Sequence, residues 1–172
     1  MSSIIVLTGT CGSGKTTVSK LLAARPGWIR ISEDEVWKSH FGKNRGIAGS
    51  EEHRRKRGQV HDEVFAGIIA ARKKNESVVI DATVHESPPE AYGEYRSYFE
   101  TNGMRWILRV LHPRLEVAVA RDSLRTDWVA GKERVGRLYA KFTHKIFGPE
   151  CFIDNSDESP EQTMLRLLNS DR

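Results

Sequence analysis

The stretch Ile4-Ile5-Val6-Leu7-Thr8-Gly9-Thr10-Cys11-Gly12-Ser13-Gly14-Lys15-Thr16-Thr17 decides the architecture of this chain. Its first four residues form a continuous apolar run, the pattern of a strand buried on both faces. Gly9, Gly12 and Gly14 follow, and then Val18, Leu21 and Leu22 recur at helical spacing. A buried strand, a Gly-rich turn and a helix in direct succession open a βαβ unit. Glycines let the turn curl so that successive N–H groups converge, and the helix start adds unpaired donors and a positive dipole end. Such a concavity takes an anion.

The same alternation continues outward from this stretch. Short apolar runs at 28–31, 77–80, 105–111 and 151–153 predict four more strands. Helical patterns cover 16–24, 33–41, 51–74, 88–101, 114–124, 135–146 and 160–168, the last with Pro160 at its start. Strands alternating with helices predict an α/β fold, a three-layer αβα sandwich around a five-stranded parallel sheet. The 172 residues suit one domain, 1–172, with no repeat or linker.

Composition excludes several classes. With 38% hydrophobic and 29% charged residues, the chain has enough apolar side chains for a core, which argues against disorder. Cys11 and Cys151 are too few for a disulfide framework. No apolar run approaches the roughly 18 residues of a membrane span, and the N-terminus reads as a strand rather than a leader. A cytoplasmic location without membrane partners is the expectation. The net charge of +4 permits a polyanionic partner without requiring one.

Gly9 to Thr16 fits G-x-x-x-x-G-K-[ST] completely. Gly9, Thr10, Cys11, Gly12, Ser13, Gly14, Lys15, Thr16 and Thr17 are therefore expected to cradle a nucleoside triphosphate, taken as ATP. Lys15 should reach the β- and γ-phosphates, and the Thr16 hydroxyl should ligate Mg²⁺. Cys11 reads as a variable loop position, although a helix start can also lower a thiol's pKa.

Three further groups bear on chemistry. Ile31-Ser32-Glu33-Asp34-Glu35 puts carboxylates at the carboxyl end of a strand, where ligands of open parallel sheets bind. Asp34 is the candidate general base, while the same carboxylates equally suit a helix N-terminus. Asp81, ending another strand, is placed for Mg²⁺ and its water shell, or for capping its loop; Thr83 and His85 follow it towards the acceptor. Arg121 and Arg125, four apart and hence on one helical face, precede a Gly-containing segment that can fold over the triphosphate. They suit the charge that grows on a transferred phosphoryl group, or a plain solvated helix face.

With these residues in place the chain resembles small P-loop kinases, most closely the 5′-hydroxyl kinase domain of polynucleotide kinases (an AAA-type kinase family). The resemblance runs through Gly9–Thr17, Ile31–Glu35, Val79–Thr83, Arg121 with Arg125, 135–142 and Ile153–Ser156. It implies a P-loop NTPase fold of the nucleotide-kinase type with a helical lid near 121–135. Further implied are Lys15, Asp34, Arg121 and Arg125 as catalytic residues, ATP and Mg²⁺ as cofactors, and a loop at 153–156 beside the adenine. The implied activity moves the γ-phosphate of ATP to a hydroxyl acceptor such as a polynucleotide 5′ end. Relatives on the same scaffold phosphorylate antibiotics, sugars or small metabolites, and a nucleotide switch without transfer is the remaining class. One departure concerns the acceptor: family members often carry an Arg shortly after the base, where this chain has Trp37-Lys38. Lys38 supplies a point charge rather than a fork, and Trp37 either stacks on a base or packs inside. The run His53-Arg54-Arg55-Lys56-Arg57, with Lys43 and Arg45 before it, is either a phosphate-tracking surface or a solvated helix start.

Overall fold

The computed structural model describes residues 2–42, 47, 49–84, 90–126, 128–143 and 147–169. His85, Lys43, Arg45 and the first residues of the helix expected from 88 lie outside these. Strands β1 (Ile4–Gly9), β2 (Trp28–Ser32), β3 (Ser77–Asp81), β4 (Ile107–Leu111) and β5 (Phe152–Ile153) form one parallel sheet in the order β2-β3-β1-β4-β5. Helices α1 (Lys15–Ala23), α2 (Glu33–Phe41), α3 (Glu51–Lys73), α4 (Glu90–Thr101), α5 (Leu115–Ser123), α6 (Lys132–Tyr139) and α7 (Pro160–Asn169) connect and cover it.

The strands alternate between two cores. Ile5, Leu7 and Val79 face α1 and α7 through Val18, Leu22, Met164 and Leu167. Ile4, Val6, Val78 and Ile80 face the other layer, where Val60, Val64 and Ile68 of α3 meet Tyr95 and Phe99 of α4. Every residue of β1 is buried, as its unbroken apolar run predicts. Burial on both faces is what makes a parallel sheet of short strands stable.

Register sets the site. Leu7 pairs with Asp81, Ser32 pairs with Asp81, and Gly9 pairs with Leu111. The ends of β1, β2 and β3 therefore share one edge of the sheet, and the loops leaving them are neighbours. In open α/β sheets ligands bind in the crevice at that carboxyl edge.

Element ends depart modestly from expectation. The helix expected over 135–146 runs instead over Lys132–Tyr139, starting after Gly131 at φ 83°. It stops because Lys141 and Phe142 bond to Leu138 and Tyr139 in three-residue turns, which brings the Phe142 ring into the core. Cys151 belongs to a 3₁₀ turn, Pro149–Cys151, rather than to β5. Among the described residues no helix is long and apolar enough to cross a membrane.

Candidate active site

The loop between β1 and α1 wraps its own lysine. The Lys15 ammonium donates to the Gly9 carbonyl at 2.8 Å and the Thr10 carbonyl at 3.1 Å. Gly9 sits at φ 145° and Gly12 at φ 75°, conformations that side chains rarely adopt. Space forbids a side chain as well: a Cβ on Gly9 would lie 2.4 Å from the Leu111 carbonyl oxygen, and one on Gly12 2.0 Å from that of Ala118. The loop is thus clamped between β4 and α5. Gly12→Ala should cost about 2 kcal/mol or more, from the left-handed backbone and the clash together. Thermal unfolding should then fall by at least about 4 °C, with ATP binding lost alongside.

Two ties lock the loop to distant segments, and a third braces one of those segments. The Thr10 hydroxyl donates to the Val135 carbonyl at 3.1 Å, and the Asn155 amide donates to the Ser13 carbonyl at 3.0 Å. Arg121 donates to the Asn155 and Ser156 carbonyls at 3.0 and 3.3 Å. The Ser13 hydroxyl is buried without a hydrogen-bond partner among the described residues. Orphaned buried donors are rare. Beside the Lys15 ammonium, this hydroxyl is a donor that phosphate oxygens would suit. Thr16 and Thr17 are exposed at the mouth, and Cys11 is half-buried.

Asp81 is bound more tightly than its loop position predicts. Its Oδ2 accepts from Arg30 at 2.7 Å and from the Ser19 hydroxyl at 3.2 Å, and the residue is buried. Arg30 also reaches Ser19 at 2.9 Å and Glu35 at 2.8 Å. Sequence reading missed Arg30. A cation between Ile29 and Ile31 in a strand of a buried sheet was the available signal, because a buried charge needs a partner. Thr83 is half-buried beyond Asp81.

On α2, Ser32 is the N-cap and accepts from the Glu35 amide at 3.3 Å. Asp34 is exposed in the first turn, beside the end of β3. Trp37 takes the core alternative, being 3% exposed against Phe41 and His53, whereas Lys38 is exposed. The basic run divides in the same way. Lys56 and Arg57 are buried and paired with Glu52 at 2.6 Å and Glu94 at 2.9 Å, while Arg54 and Arg55 remain outside.

The two lid arginines part company. They do not share a helix face, because α5 ends at Ser123 and Arg125 lies beyond the cap at Leu124. Arg121 turns to the loop after β5, whereas the Arg125 guanidinium lies 5.9 Å from the ring of the half-exposed Trp128. Arg134 approaches the same ring at 5.0 Å. The ends of α5 and α6 are drawn together by buried Asp122, which accepts from the Gly131 amide at 2.9 Å.

Behind α2 lies a charged cluster that local sequence does not reveal. His61 of α3, 2% exposed, sits between the carboxylates of Glu33 and Glu94. Burial alone would lower its pKa, but the paired carboxylates of Glu33 and Glu94 prevail and push it up to about 9. A raised folded pKa contributes stability that is complete below the unfolded value near 6.5 and is lost as pH rises through about 9. The difference corresponds to about 3 kcal/mol. Melting temperature should therefore fall by roughly 6–10 °C between pH 6.5 and 9.5, and a His61→Gln variant should lack that dependence.

Comparison with known proteins now bears on this geometry. A family model described as an AAA domain matches residues 4–142, from β1 to just past α6. The chain belongs to the AAA domain family. Among solved structures, this AAA domain is similar to the Deinococcus radiodurans tunicamycin resistance protein, at TM-score 0.74 and 18% identity over 99% of this chain and 96% of that one. It is also similar to a sugar kinase from Janibacter sp. HTCC2649, at TM-score 0.68 and 20% identity over 98% and 94%. A chain of the Pnkp1/Rnl/Hen1 RNA repair complex matches at TM-score 0.60 and 21% identity, over 81% of this chain but 43% of that one. Comparison with curated proteins gives no match. The fold is that of P-loop kinases.

Proposed function

We propose that this AAA domain is an ATP-dependent phosphotransferase that moves the γ-phosphoryl group to a hydroxyl acceptor. The observation that carries the reading is the register at the sheet edge: Leu7 and Ser32 both pair with Asp81, so the phosphate loop after β1 and the start of α2 with Asp34 leave the same edge as Asp81. A nucleotide switch uses a strand-end carboxylate such as Asp81 for Mg²⁺ but needs no second one such as Asp34; a transferase needs that one to take the acceptor's proton.

Lys15 exchanges its loop carbonyls for the β- and γ-phosphate oxygens, and the loop amides take the rest. Thr16 would hold Mg²⁺ directly and Asp81 through its water shell, with Asp81 Oδ2 already committed to Arg30 and Ser19. Mg²⁺, when bound, neutralises charge on the β- and γ-phosphates. Asp34 accepts the acceptor's hydroxyl proton as that oxygen attacks phosphorus in line, and ADP leaves on the side of the loop. Arg125, on the lid, meets the charge that spreads over the transferred group.

The acceptor favoured is a small hydroxyl compound rather than a polynucleotide end. Two residues of the basic run, Lys56 and Arg57, are spent on internal ion pairs, and Trp37 is in the core, which leaves Arg54 and Arg55 as the exposed arginines of that run and takes away the stacking ring. The matched tunicamycin resistance protein and sugar kinase are also spanned nearly end to end. The test is a transfer screen with γ-labelled ATP over sugars, nucleosides, antibiotics and 5′-hydroxyl oligonucleotides. Label on a small acceptor supports the reading, label on oligonucleotides alone overturns the acceptor class, and acceptor-independent hydrolysis alone overturns transfer.

Arg121 and Arg125 should separate kinetically. Arg125→Ala should lower kcat by on the order of 10²-fold with little change in ATP affinity. Arg121→Ala, which frees the Asn155 and Ser156 carbonyls beside the phosphate loop, should weaken ATP binding as well. Single-turnover rates at saturating ATP distinguish the two.

A further inference from the structure

The cluster behind α2 is placed to do more than fill the interface. α2 has nine residues, and Trp37 is its only fully buried one. So short a helix is not stable by itself, and its orientation comes from what it packs on. Glu33 and Trp37 are four apart and share one face; Asp34, one residue on, points about 100° away from it. The rotation of α2 about its axis, and hence the position of the Asp34 carboxylate, depends on how that inner face is held, while Glu35 pairs with Arg30 and His40 with Glu63 on its outer side. Trp37 is held by the core. Glu33 is held by polar groups of two other helices: His61 Nε2 of α3 lies 3.8 Å from its Oε1, and the Tyr95 hydroxyl of α4 donates to its Oε2 at 3.4 Å.

His61 is the hub of this arrangement. Its Nδ1 pairs with Glu94 of α4, whose other oxygen accepts from Arg57 at 2.9 Å. The charges that face the imidazole are thus Glu33 from α2, Glu94 from α4 and Arg57 from its own helix, with the Tyr95 ring 4.9 Å away. Two cations against two carboxylates balance. Removing one member leaves a buried charge uncompensated, which the structure relieves by moving the element least anchored elsewhere. That element is α2.

We propose that His61 is a positioning residue for Asp34: by tying Glu33 to α3 and α4 it sets the rotation of α2 and so holds the base towards the acceptor. The proposal rests on the phosphotransferase reading for its catalytic meaning, while the tether stands on geometry alone.

The test compares His61→Gln, Glu33→Gln and the double variant with the unaltered protein. Hydrogen exchange of the α2 amides at 35–37 should be about tenfold faster in each variant, with exchange in α1 and β1 unchanged. On an acceptor found by the transfer screen, kcat should fall about tenfold with the KM for ATP within twofold. The double variant should be little worse than either single one, since both remove the same tie. Glu33 is partly exposed, so Glu33→Gln keeps the test alive if His61→Gln does not fold. Unchanged α2 exchange, additive effects, or ATP affinity falling as much as kcat would each overturn the proposal. If the unaltered protein transfers to no acceptor, the phosphotransferase reading falls and takes the base with it; the exchange arm then decides the tether separately.

Discussion

Replacing Lys15 by alanine should lower phosphoryl transfer by on the order of 10²- to 10³-fold, the usual loss when one preorganised donor to transition-state charge is removed. The fold should survive. Among the described residues the Lys15 ammonium bonds to the carbonyls of Gly9 and Thr10 within its own loop, and the loop keeps its ties through Thr10 to Val135 and through Asn155 to Ser13. Melting temperature and turnover should be measured on the same preparation. A folded variant with near-normal turnover would remove the phosphate-loop assignment; a variant that unfolds would show that the two carbonyl bonds carry more structure than one side chain should.

Asp34→Asn should reduce transfer by about 10²-fold or more, with ATP affinity nearly unchanged. The amide keeps the size of the carboxylate and its hydrogen bonding but cannot take a proton. The competing role, a charge at the start of α2, is worth only about 0.3–1 kcal/mol, and asparagine suits a helix start. That role is weaker here because Ser32 already caps α2 through the Glu35 amide and Glu33 and Glu35 flank Asp34 in the same turn. The two roles therefore separate by rate at equal stability. Near-normal turnover on the true acceptor would return Asp34 to the helix start and leave the crevice without a base.

Much of the site was readable before any coordinates, and the parts that were share a property. The phosphate loop, the carboxylates closing β2 and β3, and the helix starts at Ser32 and Ser50 are written in residues within a few positions of each other. Glycine conformation, strand burial and capping are short-range effects, so their signals survive in a single sequence. Arg121 and Arg125 misled for the same reason. Their spacing indicates one helix face only if the helix continues, and α5 stops between them.

Sequence alone determined the class of fold, the Gly-rich turn at 9–16 and the edge of the sheet at which the candidate site residues gather. Only the tertiary structure decided how charged residues are spent. Arg30 finds Asp81 across 51 positions, Arg57 finds Glu94 across 37, and Trp37 and Lys56 go inward where spacing allowed them to face a ligand. A charge far from its partner in sequence leaves no local trace, because the energy that places it is the cost of burial unpaired, and that cost exists only once the helices have packed.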